Sequence, residues 1–283
     1  MNWDERYRAL EARRTRASAA ALEAVRTTLD RTAGAALRPV ANPWSARAFD
    51  GPFFETRRDA MTMGVVFVRS REGNTGTRHP AGLGGGAVDE HLVYEGLSRV
   101  AADAVVAGAA TLHADALLTV WHPELIALRR GLGLARHPAQ IVMSTSGGVD
   151  PDAVLLFNVP GVPVYVLTSA RGHDRLAPAL AARPWVRTIV APSPREAFEA
   201  LAGAGLRRVC SIGGRRSATA LVDAGLVQDV YLTTTTVSGG EPRTPWYTGD
   251  RELEMSLALA KEWHGPRGLV RFEHLVLTDH GQA

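Results

Sequence analysis

Cysteine and lysine are almost absent from this chain. Of its 283 residues, Cys210 is the only cysteine and Lys261 the only lysine. A single thiol forms no intramolecular disulfide and no cysteine cluster for a metal, and any lysine Schiff base is confined to position 261. Cys210 lies in the apolar run 209–212, so we interpret it as a small buried strand residue rather than a nucleophile.

Long hydrophobic runs and dense charge are also missing. No apolar stretch approaches the ~20 residues that span a bilayer. The N-terminus contains Asp4, Glu5 and Glu11 and lacks the apolar core of a secretory signal. The net charge of +3 forms no basic stripe, and the nine histidines show no metal-ligand spacing. We therefore predict a cytoplasmic protein that binds no metal, nucleic acid or membrane.

What is present is an alternation of apolar strands and amphipathic helices. Strands separated by helices at this spacing are typical of an α/β protein with a mostly parallel sheet and helices on its faces. The last three predicted strands have no helix between them and should form an antiparallel edge. The predicted strands are 61–68, 103–108, 139–144, 163–168, 186–190, 207–212, 229–237, 254–263 and 268–278, and the predicted helices are 89–101, 111–119, 174–182, 194–203 and 215–224.

The first 57 residues are predicted to lie outside this domain. Apolar residues recur at spacings of three and four from Trp3 to Leu29, which predicts a helix over 3–33. Residues 35–57 contain three prolines and are predicted to be an irregular connector. We therefore divide the chain into a helical extension with connector at 1–57 and an α/β domain at 58–283.

A strand that ends in two glycines before a helix is the strongest indication of a ligand site. The strand over 207–212 is followed by Gly213, Gly214, Arg215, Arg216 and Ser217. The glycines allow positive φ and close approach of a ligand, and the free N–H groups of a helix N-terminus suit a pyrophosphate. A bound anion would also offset the unfavourable position of two arginines near the positive end of the helix dipole. A tight turn with two solvated arginines explains the pattern equally well.

Two other strand ends carry glycines and hydroxyl groups. Gly108 ends one strand shortly before Thr111 and Asp115, and Ser144 ends the next, before Gly147. Because ligands of open α/β sheets lie beyond the carboxyl ends of the strands, the three ends predict one shared site. The alternatives are a plain N-cap for Thr111 and an ordinary polar turn at Ser144. Neither G-x-G-x-x-G nor G-x-x-x-x-G-K-[ST] occurs, so a standard dinucleotide-binding unit or P-loop is not predicted.

Taken in order, five segments resemble the reductase domain of riboflavin biosynthesis, a family with a dihydrofolate-reductase-like fold. The resemblance covers about residues 60–278 and implies that fold here. The segments are Ser-Arg-Glu-Gly at 70–73 (S-x-D-G in the family), Gly-Leu-Gly-Gly at 82–85 before Asp89, the run from Arg99 and Asp103 through Gly108 and Thr111 to Asp115, Ile-Gly-Gly at 212–214 (E-G-G in the family), and Ala-Gly-Leu-Val-Gln-Asp at 224–229 with Gly239 and Gly240 beyond it.

The resemblance implies NADPH as hydride donor, a small-molecule substrate and a homodimer. In that family the hydride reduces a ribose through an imine, and the more distant dihydrofolate reductases reduce a C=N bond directly. By position, the implied cofactor contacts are Gly108, Thr111, Asp115, Ser144, Gly213, Gly214, Arg215, Arg216 and Ser217. The implied substrate contacts are Ser70, Gly84, Gly85, Arg99 and Ile212.

Two departures from the family pattern indicate a different substrate. Ile212 stands where the family has the glutamate of E-G-G, and no arginine closely follows Asp115, since 119–123 reads Thr-Val-Trp-His-Pro. Losing two charge-assisted contacts, each worth roughly 1.5–3 kcal/mol, would weaken binding of a ribosyl phosphate. We therefore expect a flatter, less charged heterocycle as substrate and a role in specialised metabolism.

Two acids are the candidate proton donors for such a reduction. An imine must be protonated to accept hydride well, and Glu72 and Asp89 are expected near the cleft. As alternatives, Glu72 is a turn residue, Asp89 is a helix N-cap, and solvent provides the proton.

Two other functions are compatible with the sequence. One is the riboflavin-pathway reductase itself, 5-amino-6-(5-phosphoribosylamino)uracil reductase, with Arg129 or Arg130 holding the substrate phosphate. The other is a non-catalytic nucleotide-binding protein of the same fold. The dimer seam is expected at the C-terminal edge strands, although the helix over 3–33 could instead dock a second copy or a partner enzyme.

Overall fold

A ten-stranded sheet organises the residues that the computed structural model describes, namely 2–16, 25–77 and 80–278. The strands are β1 (Arg26–Asp30), β2 (Leu37–Val40), β3 (Phe53–Thr56), β4 (Thr62–Arg69), β5 (Ala104–Gly108), β6 (Ala139–Met143), β7 (Val164–Thr168), β8 (Val186–Val190), β9 (Arg208–Ser211), β10 (Asp229–Thr235), β11 (Met255–Gly265) and β12 (Gly268–Leu277). The helices are α1 (Trp3–Arg16), α2 (Pro43–Ala48), α3 (Gly86–Val88, continued as the wider π-helix Asp89–Leu97), α4 (Pro123–Gly131), α5 (Ala170–Leu180), α6 (Pro194–Gly203) and α7 (Arg215–Asp223).

The sheet is parallel over most of its width and antiparallel at one edge. Its strand order is β1-β11-β12-β10-β4-β9-β5-β6-β7-β8, and β2 pairs with β3 in a separate hairpin. The strands from β10 to β8 run parallel, whereas β12, β11 and β1 continue antiparallel from β10. The central strands are apolar throughout because both faces are covered, as in β5, where every residue is buried. This arrangement confirms the predicted fold class.

Alternating side chains along the strands separate two cores. Val105 and Cys210 belong to the cluster that contains Leu92 of α3, whereas Val106 and Val209 belong to the cluster that contains Leu221 of α7. Successive residues of a strand point to opposite faces, so each face receives its own helices. The loops that follow the parallel strands therefore emerge between two helical layers.

The predicted helix over 3–33 is wrong in its last part. Helix α1 is described as far as Arg16, residues 17–24 lie outside the described ranges, and β1 follows at Arg26–Asp30. Strand β1 pairs antiparallel with β11, with Thr27 opposite Lys261. The β-branched threonines at 27 and 28 suit an edge strand better than a helix. The segment therefore adds a strand to the main sheet.

The prediction of an irregular connector at 35–57 is also wrong, because these residues form regular secondary structure. Strands β2 and β3 form an antiparallel hairpin around α2, and Asn42 caps α2 in a capping box with Ser45. The only lysine secures this segment, because the Lys261 Nζ donates to the carbonyl oxygens of Phe49 (2.6 Å) and Asp50 (2.9 Å). Burial lowers the pKa of Lys261 to about 8. The division of the chain at residue 57 stays a prediction.

The predicted helix over 111–119 is wrong as well. A single 3-10 turn, Ala109–Thr111, ends there, and the chain then runs back towards the amino ends of the strands. The side chain of Gln140 holds it in place by accepting from the Leu118 N–H (2.7 Å) and donating to its carbonyl (3.1 Å). The helix begins instead at Pro123, whose fixed φ favours the first helical turn.

Helix α1 packs against the body of the protein. Leu10 is buried in the cluster that contains Trp121 and Phe157, and the Tyr7 ring centroid lies 6.2 Å from that of Trp121. In the part of the chain that the structure describes, no helix is long and apolar enough to cross a membrane. The apolar face of α1 is thus used within the chain, which weighs against a helix that docks a second copy.

Removing residues 1–16 is expected to leave a cooperatively folding protein. Leu10 is the fully buried side chain of α1, so we expect the unfolding temperature to fall by roughly 5 °C. Circular dichroism melts would measure this, and light scattering would test whether the mass in solution is unchanged. Loss of the cooperative transition would show that the sheet depends on α1 for folding. A lower mass in solution would show that α1 takes part in a dimer interface.

Candidate active site

Most of the predicted site residues lie at the carboxyl edge of the parallel strands. Strand β5 ends at Gly108, β9 ends just before Gly213, β6 ends before Ser144 and β4 ends before Ser70. In register, Val106 of β5 and Val65 of β4 both pair with Ser211 of β9, so these loops leave the sheet side by side. The edge is therefore shared by three of the five resembling segments, those that follow β4, β5 and β9.

A small cradle forms where the loops after β5 and β9 meet. A Cβ atom at Gly108 would lie 2.5 Å from the Ser217 Oγ, and one at Gly214 would lie 3.0 Å from the Thr111 Oγ1 and 3.4 Å from the Ser217 Oγ. Gly214 also has a φ of 83°, a backbone conformation that side chains disfavour. We call Gly108, Thr111, Gly214 and Ser217 the glycine cradle.

The N-terminus of α7 opens onto the glycine cradle without a capping side chain. Helices α2, α5 and α6 are capped by Asn42, Ser169 and Ser193, whereas α7, like α4, has no side-chain cap within the described ranges, and its N-cap residue is Gly214. The free N–H groups and the positive end of the helix dipole favour an anion there. Among the described residues, no hydrogen-bond partner is found for the buried Oγ of Ser211, the last residue of β9.

The two arginines of α7 differ in their surroundings. The Arg215 Nη2 lies 3.5 Å from the Glu241 Oε2, and Arg216 is exposed. Both stand in the first turn, beside the glycine cradle. Each could bind a phosphate oxygen with a guanidinium fork.

Two other predicted cofactor residues, Asp115 and Ser144, are less exposed than Thr111. Asp115 pairs with Arg6 of α1, with the Arg6 Nε 2.5 Å from the Asp115 Oδ1. Ser144 is buried, and the turn after it packs tightly, since a Cβ at Gly147 would lie 2.5 Å from the Gly172 carbonyl oxygen. The structure brings both near the carboxyl edge but leaves them less accessible than Thr111.

A loop of glycines lies against β10 where the substrate contacts were predicted. Gly84 has a φ of 87°, and a Cβ there would lie 2.4 Å from a methyl group of Val237. The Thr235 Oγ1 donates to the Leu83 carbonyl oxygen at 2.5 Å. A Cβ at Gly85 would lie 2.7 Å from the Asp89 Oδ2. The absence of side chains at these glycines lets the loop bring Asp89 close to the strand.

Asp89 is a group at this edge whose acidity is strongly weakened. The Thr233 hydroxyl donates a hydrogen bond to the Asp89 Oδ1. Desolvation nevertheless raises the pKa of Asp89 to about 6, with a smaller contribution from neighbouring Glu90. Asp89 lies inside the first turns of α3 with Gly85 as the N-cap, so it is not the N-cap that the alternative required. A carboxyl group with this pKa can hold and release a proton near neutral pH.

Glu72, the other predicted proton donor, is a turn residue. Its Oε2 accepts from the Ser70 Oγ (2.9 Å) and from the Gly239 N–H (3.1 Å). These hydrogen bonds, led by that from Gly239, lower the pKa of Glu72 to about 2. The carboxylate therefore carries no proton at neutral pH, and the prediction that Glu72 is an acid catalyst is corrected. Ser70 is buried and serves the same turn.

Arg99 does not reach this edge. It lies between α3 and the start of β5, at the amino ends of the strands, and its Nη1 donates to the Thr119 carbonyl oxygen at 2.6 Å. Ile212 is buried in the core cluster with Leu92 and Cys210. Neither side chain lies in an open cleft, so we leave both out of the proposed substrate contacts.

The hydroxyl side chains of β10 are functional candidates that the sequence reasoning missed. Thr233 and Thr235 hold Asp89 and the glycine loop, and Glu241 lies beyond the strand. The run of four threonines at 233–236 was a usable signal, because alternate hydroxyls on a strand share one face. No group of three or more His, Cys, Asp or Glu side chains in the described ranges could hold a metal.

The comparisons with known proteins decide the family. The family described as RibD C-terminal domain matches residues 89–270. This chain belongs to that family. The match spans α3 to β12 and therefore includes the glycine cradle and Asp89, which confirms the resemblance to the riboflavin-pathway reductases. No curated protein matches the sequence.

Solved structures support the same fold. A pyrimidine reductase-like protein from Corynebacterium diphtheriae is 22% identical, with a TM-score of 0.62, over 77% of this chain and 92% of that one. Acinetobacter baumannii RibD is 16% identical (TM-score 0.57; 77% and 58% covered), so this RibD-family chain spans less than two thirds of that protein. The Saccharomyces cerevisiae riboflavin biosynthesis reductase Rib7 is 16% identical (TM-score 0.51; 78% and 93% covered). At these identities the structures establish the fold alone.

Proposed function

We propose that this RibD-family chain is an NADPH-dependent reductase that transfers hydride to a C=N bond, or a C=C or C=O bond, of a small heterocyclic substrate. The observation that carries the proposal is the glycine cradle, where Gly108, Thr111, Gly214 and Ser217 converge beside an uncapped helix N-terminus. Family membership supports a reductase, and the cradle supports a phosphate-bearing cofactor.

The residues at the cradle fit NADPH. A Cβ at either Gly108 or Gly214 would fill the space in front of Ser217. The absence of side chains therefore leaves the backbone N–H groups accessible to a pyrophosphate. Arg215 and Arg216 would bind the phosphate charges, including a 2′-phosphate. When bound, NADPH supplies the hydride, and the protein aligns the acceptor and keeps water away.

Asp89 is the residue that we propose to hold the proton. Its pKa of about 6 leaves part of the population protonated at neutral pH, and the Thr233 hydroxyl fixes the position of its Oδ1. The Oδ2, which faces Gly85, is the atom from which a proton would pass to a nitrogen of the substrate. Solvent remains the alternative donor.

The riboflavin-pathway reductase is the second candidate, and the match to the RibD C-terminal domain favours it. The phosphate site suggested for that function is only partly available. Arg129 is 2% exposed and its guanidinium donates to the carbonyl oxygens of Arg99 and Ala102. Burial lowers the pKa of Arg129 to about 10. Arg129 is therefore a structural residue, and its contacts with Arg99 and Ala102 place this end of α4, with Arg130, at the amino ends of the strands, away from the candidate site.

Titration with NADPH and NADH is the experiment that tests the proposal. We expect NADPH to bind more tightly, with enhanced nicotinamide fluorescence and a rise in unfolding temperature. Turnover of 5-amino-6-(5-phosphoribosylamino)uracil would then separate the two candidates, since high efficiency with that substrate would refute a substrate change. Binding of neither nucleotide would refute the reductase, whereas binding without turnover of imines, pterins or aminouracils would favour a non-catalytic nucleotide-binding protein. The homodimer and the cytoplasmic location stay predictions.

A further inference from the structure

Two loops on the substrate side of the edge are joined into one rigid unit. Residues 70–77 follow β4 and residues 237–244 follow β10. The Thr75 N–H donates to the Thr244 carbonyl oxygen (2.7 Å), and the Glu241 N–H donates to the Gly76 carbonyl oxygen (2.7 Å). The Gly76 N–H donates to the Thr244 Oγ1 (2.9 Å). These hydrogen bonds fix the backbone of Glu241.

The side chain of Glu241 reaches from this unit to the first turn of α7. Its Oε2 lies 3.5 Å from the Arg215 Nη2, and the Glu241 side chain is 67% exposed while that of Arg215 is 31% exposed. Because the backbone of Glu241 is held and its carboxylate is open to solvent, the ion pair can separate by rotation of the side chain alone. The Glu241 carboxylate therefore pairs with the Arg215 guanidinium beside the proposed anion site.

We propose that Glu241 is an intramolecular competitor for the anion site at the start of α7. Its carboxylate pairs with Arg215 when no ligand is bound and gives way to a phosphate or pyrophosphate group of the ligand. The proposal rests on the proposed function for the identity of that ligand as NADPH, but its chemistry requires only a phosphate-bearing anion.

The size of the effect follows from the geometry of the pair. An exposed ion pair contributes little to stability, so its rupture opposes ligand binding only modestly. The negative charge left beside the site adds repulsion, which salt screens. Together these contributions correspond to about a three- to fivefold weaker affinity for a phosphate-bearing ligand at low salt.

Glu241→Gln tests the proposal, with Glu199→Gln as the matched control. Both changes remove one negative charge, and Glu199 is exposed on α6, away from the cradle. Isothermal calorimetry at low salt would measure the affinities of the full chain for NADPH and for inorganic pyrophosphate. We expect Glu241→Gln to bind both ligands about three- to fivefold more tightly than Glu199→Gln, with a smaller difference at high salt.

The two ligands separate failure of this proposal from failure of the proposed function. Tighter pyrophosphate binding by Glu241→Gln without any NADPH binding would support the competitor and refute the reductase. Equal or weaker affinities of Glu241→Gln relative to Glu199→Gln would overturn the competitor. Failure of every variant to bind either ligand would overturn both. In an Arg215→Gln background, the advantage of Glu241→Gln should shrink, since the competed cation is gone.

Discussion

Replacing Asp89 with asparagine is expected to stabilise the protein at pH 7 by about 1 to 3 kcal/mol. The folded state raises the pKa of this carboxyl from 3.8 to about 6, chiefly by desolvation. Its favourable contribution is therefore complete below pH 3.8 and is lost as the pH rises through 6, above which the ionised group is a net cost. Asparagine retains an oxygen to accept from Thr233 and never ionises. Urea unfolding of both proteins between pH 4 and 8 measures the difference.

The control for this experiment is Asp174→Asn on the exposed face of α5. We expect that variant to follow the wild-type stability at every pH, while the advantage of Asp89→Asn grows between pH 4 and 7. A variant that gains stability and loses turnover is typical of a functional residue in a strained setting. Asp89→Asn should still bind NADPH, because Asp89 lies outside the glycine cradle, on the side that we propose for the substrate. Equal stability of Asp89→Asn and wild type at pH 7 would remove Asp89 as the proton-holding group.

Replacing Gly214 with alanine is expected to weaken NADPH binding by at least about tenfold. The substitution has two separate effects, backbone strain that lowers stability and a methyl group that obstructs the proposed cofactor position. A non-glycine residue at φ 83° is strained by roughly 1–2 kcal/mol. The new methyl group would also lie 3.0 Å from the Thr111 Oγ1, inside the glycine cradle. Nicotinamide fluorescence titration measures the affinity, and thermal unfolding measures the strain.

Gly205→Ala is the matched control for Gly214→Ala. Gly205 follows α6 and has a φ of 92°, and no atom would lie within 4 Å of a Cβ there. Alanine at this position therefore introduces backbone strain but no steric clash. Both variants should lose roughly 1–2 kcal/mol of stability, and only Gly214→Ala should lose affinity. If the two variants bind NADPH equally well, the cofactor does not lie against the cradle.

Local sequence patterns were sufficient for the architecture and for part of the site. Apolar strands that alternate with helices predicted the parallel sheet, and the three helix-free strands at the end predicted its antiparallel edge, because burial on both faces leaves a local signature. The glycines at 213 and 214 and the hydroxyl of Thr111 were predicted as cofactor contacts for the same reason, and that role stays a prediction. A strand end, a glycine and a helix start are adjacent in the sequence as well as in space.

Groups whose chemistry depends on distant neighbours were not resolved by the sequence. Glu72 and Asp89 were both expected to be acids, yet Gly239 and Ser70 keep one ionised while burial against β10 raises the pKa of the other. Arg99, which was expected to contact the substrate, donates instead to the Thr119 carbonyl oxygen at the amino ends of the strands.

Local sequence patterns were enough to predict the strands of the core, the glycines that leave the backbone accessible, and the family that the chain resembles. Only the folded structure shows that β1 joins the sheet beside β11, that Glu241 meets Arg215, and that the pKa of Asp89 is raised while that of Glu72 is lowered. The physical reason is that propensity and periodicity act over a few residues, whereas strand pairing, desolvation and ion pairs depend on groups that only folding brings together.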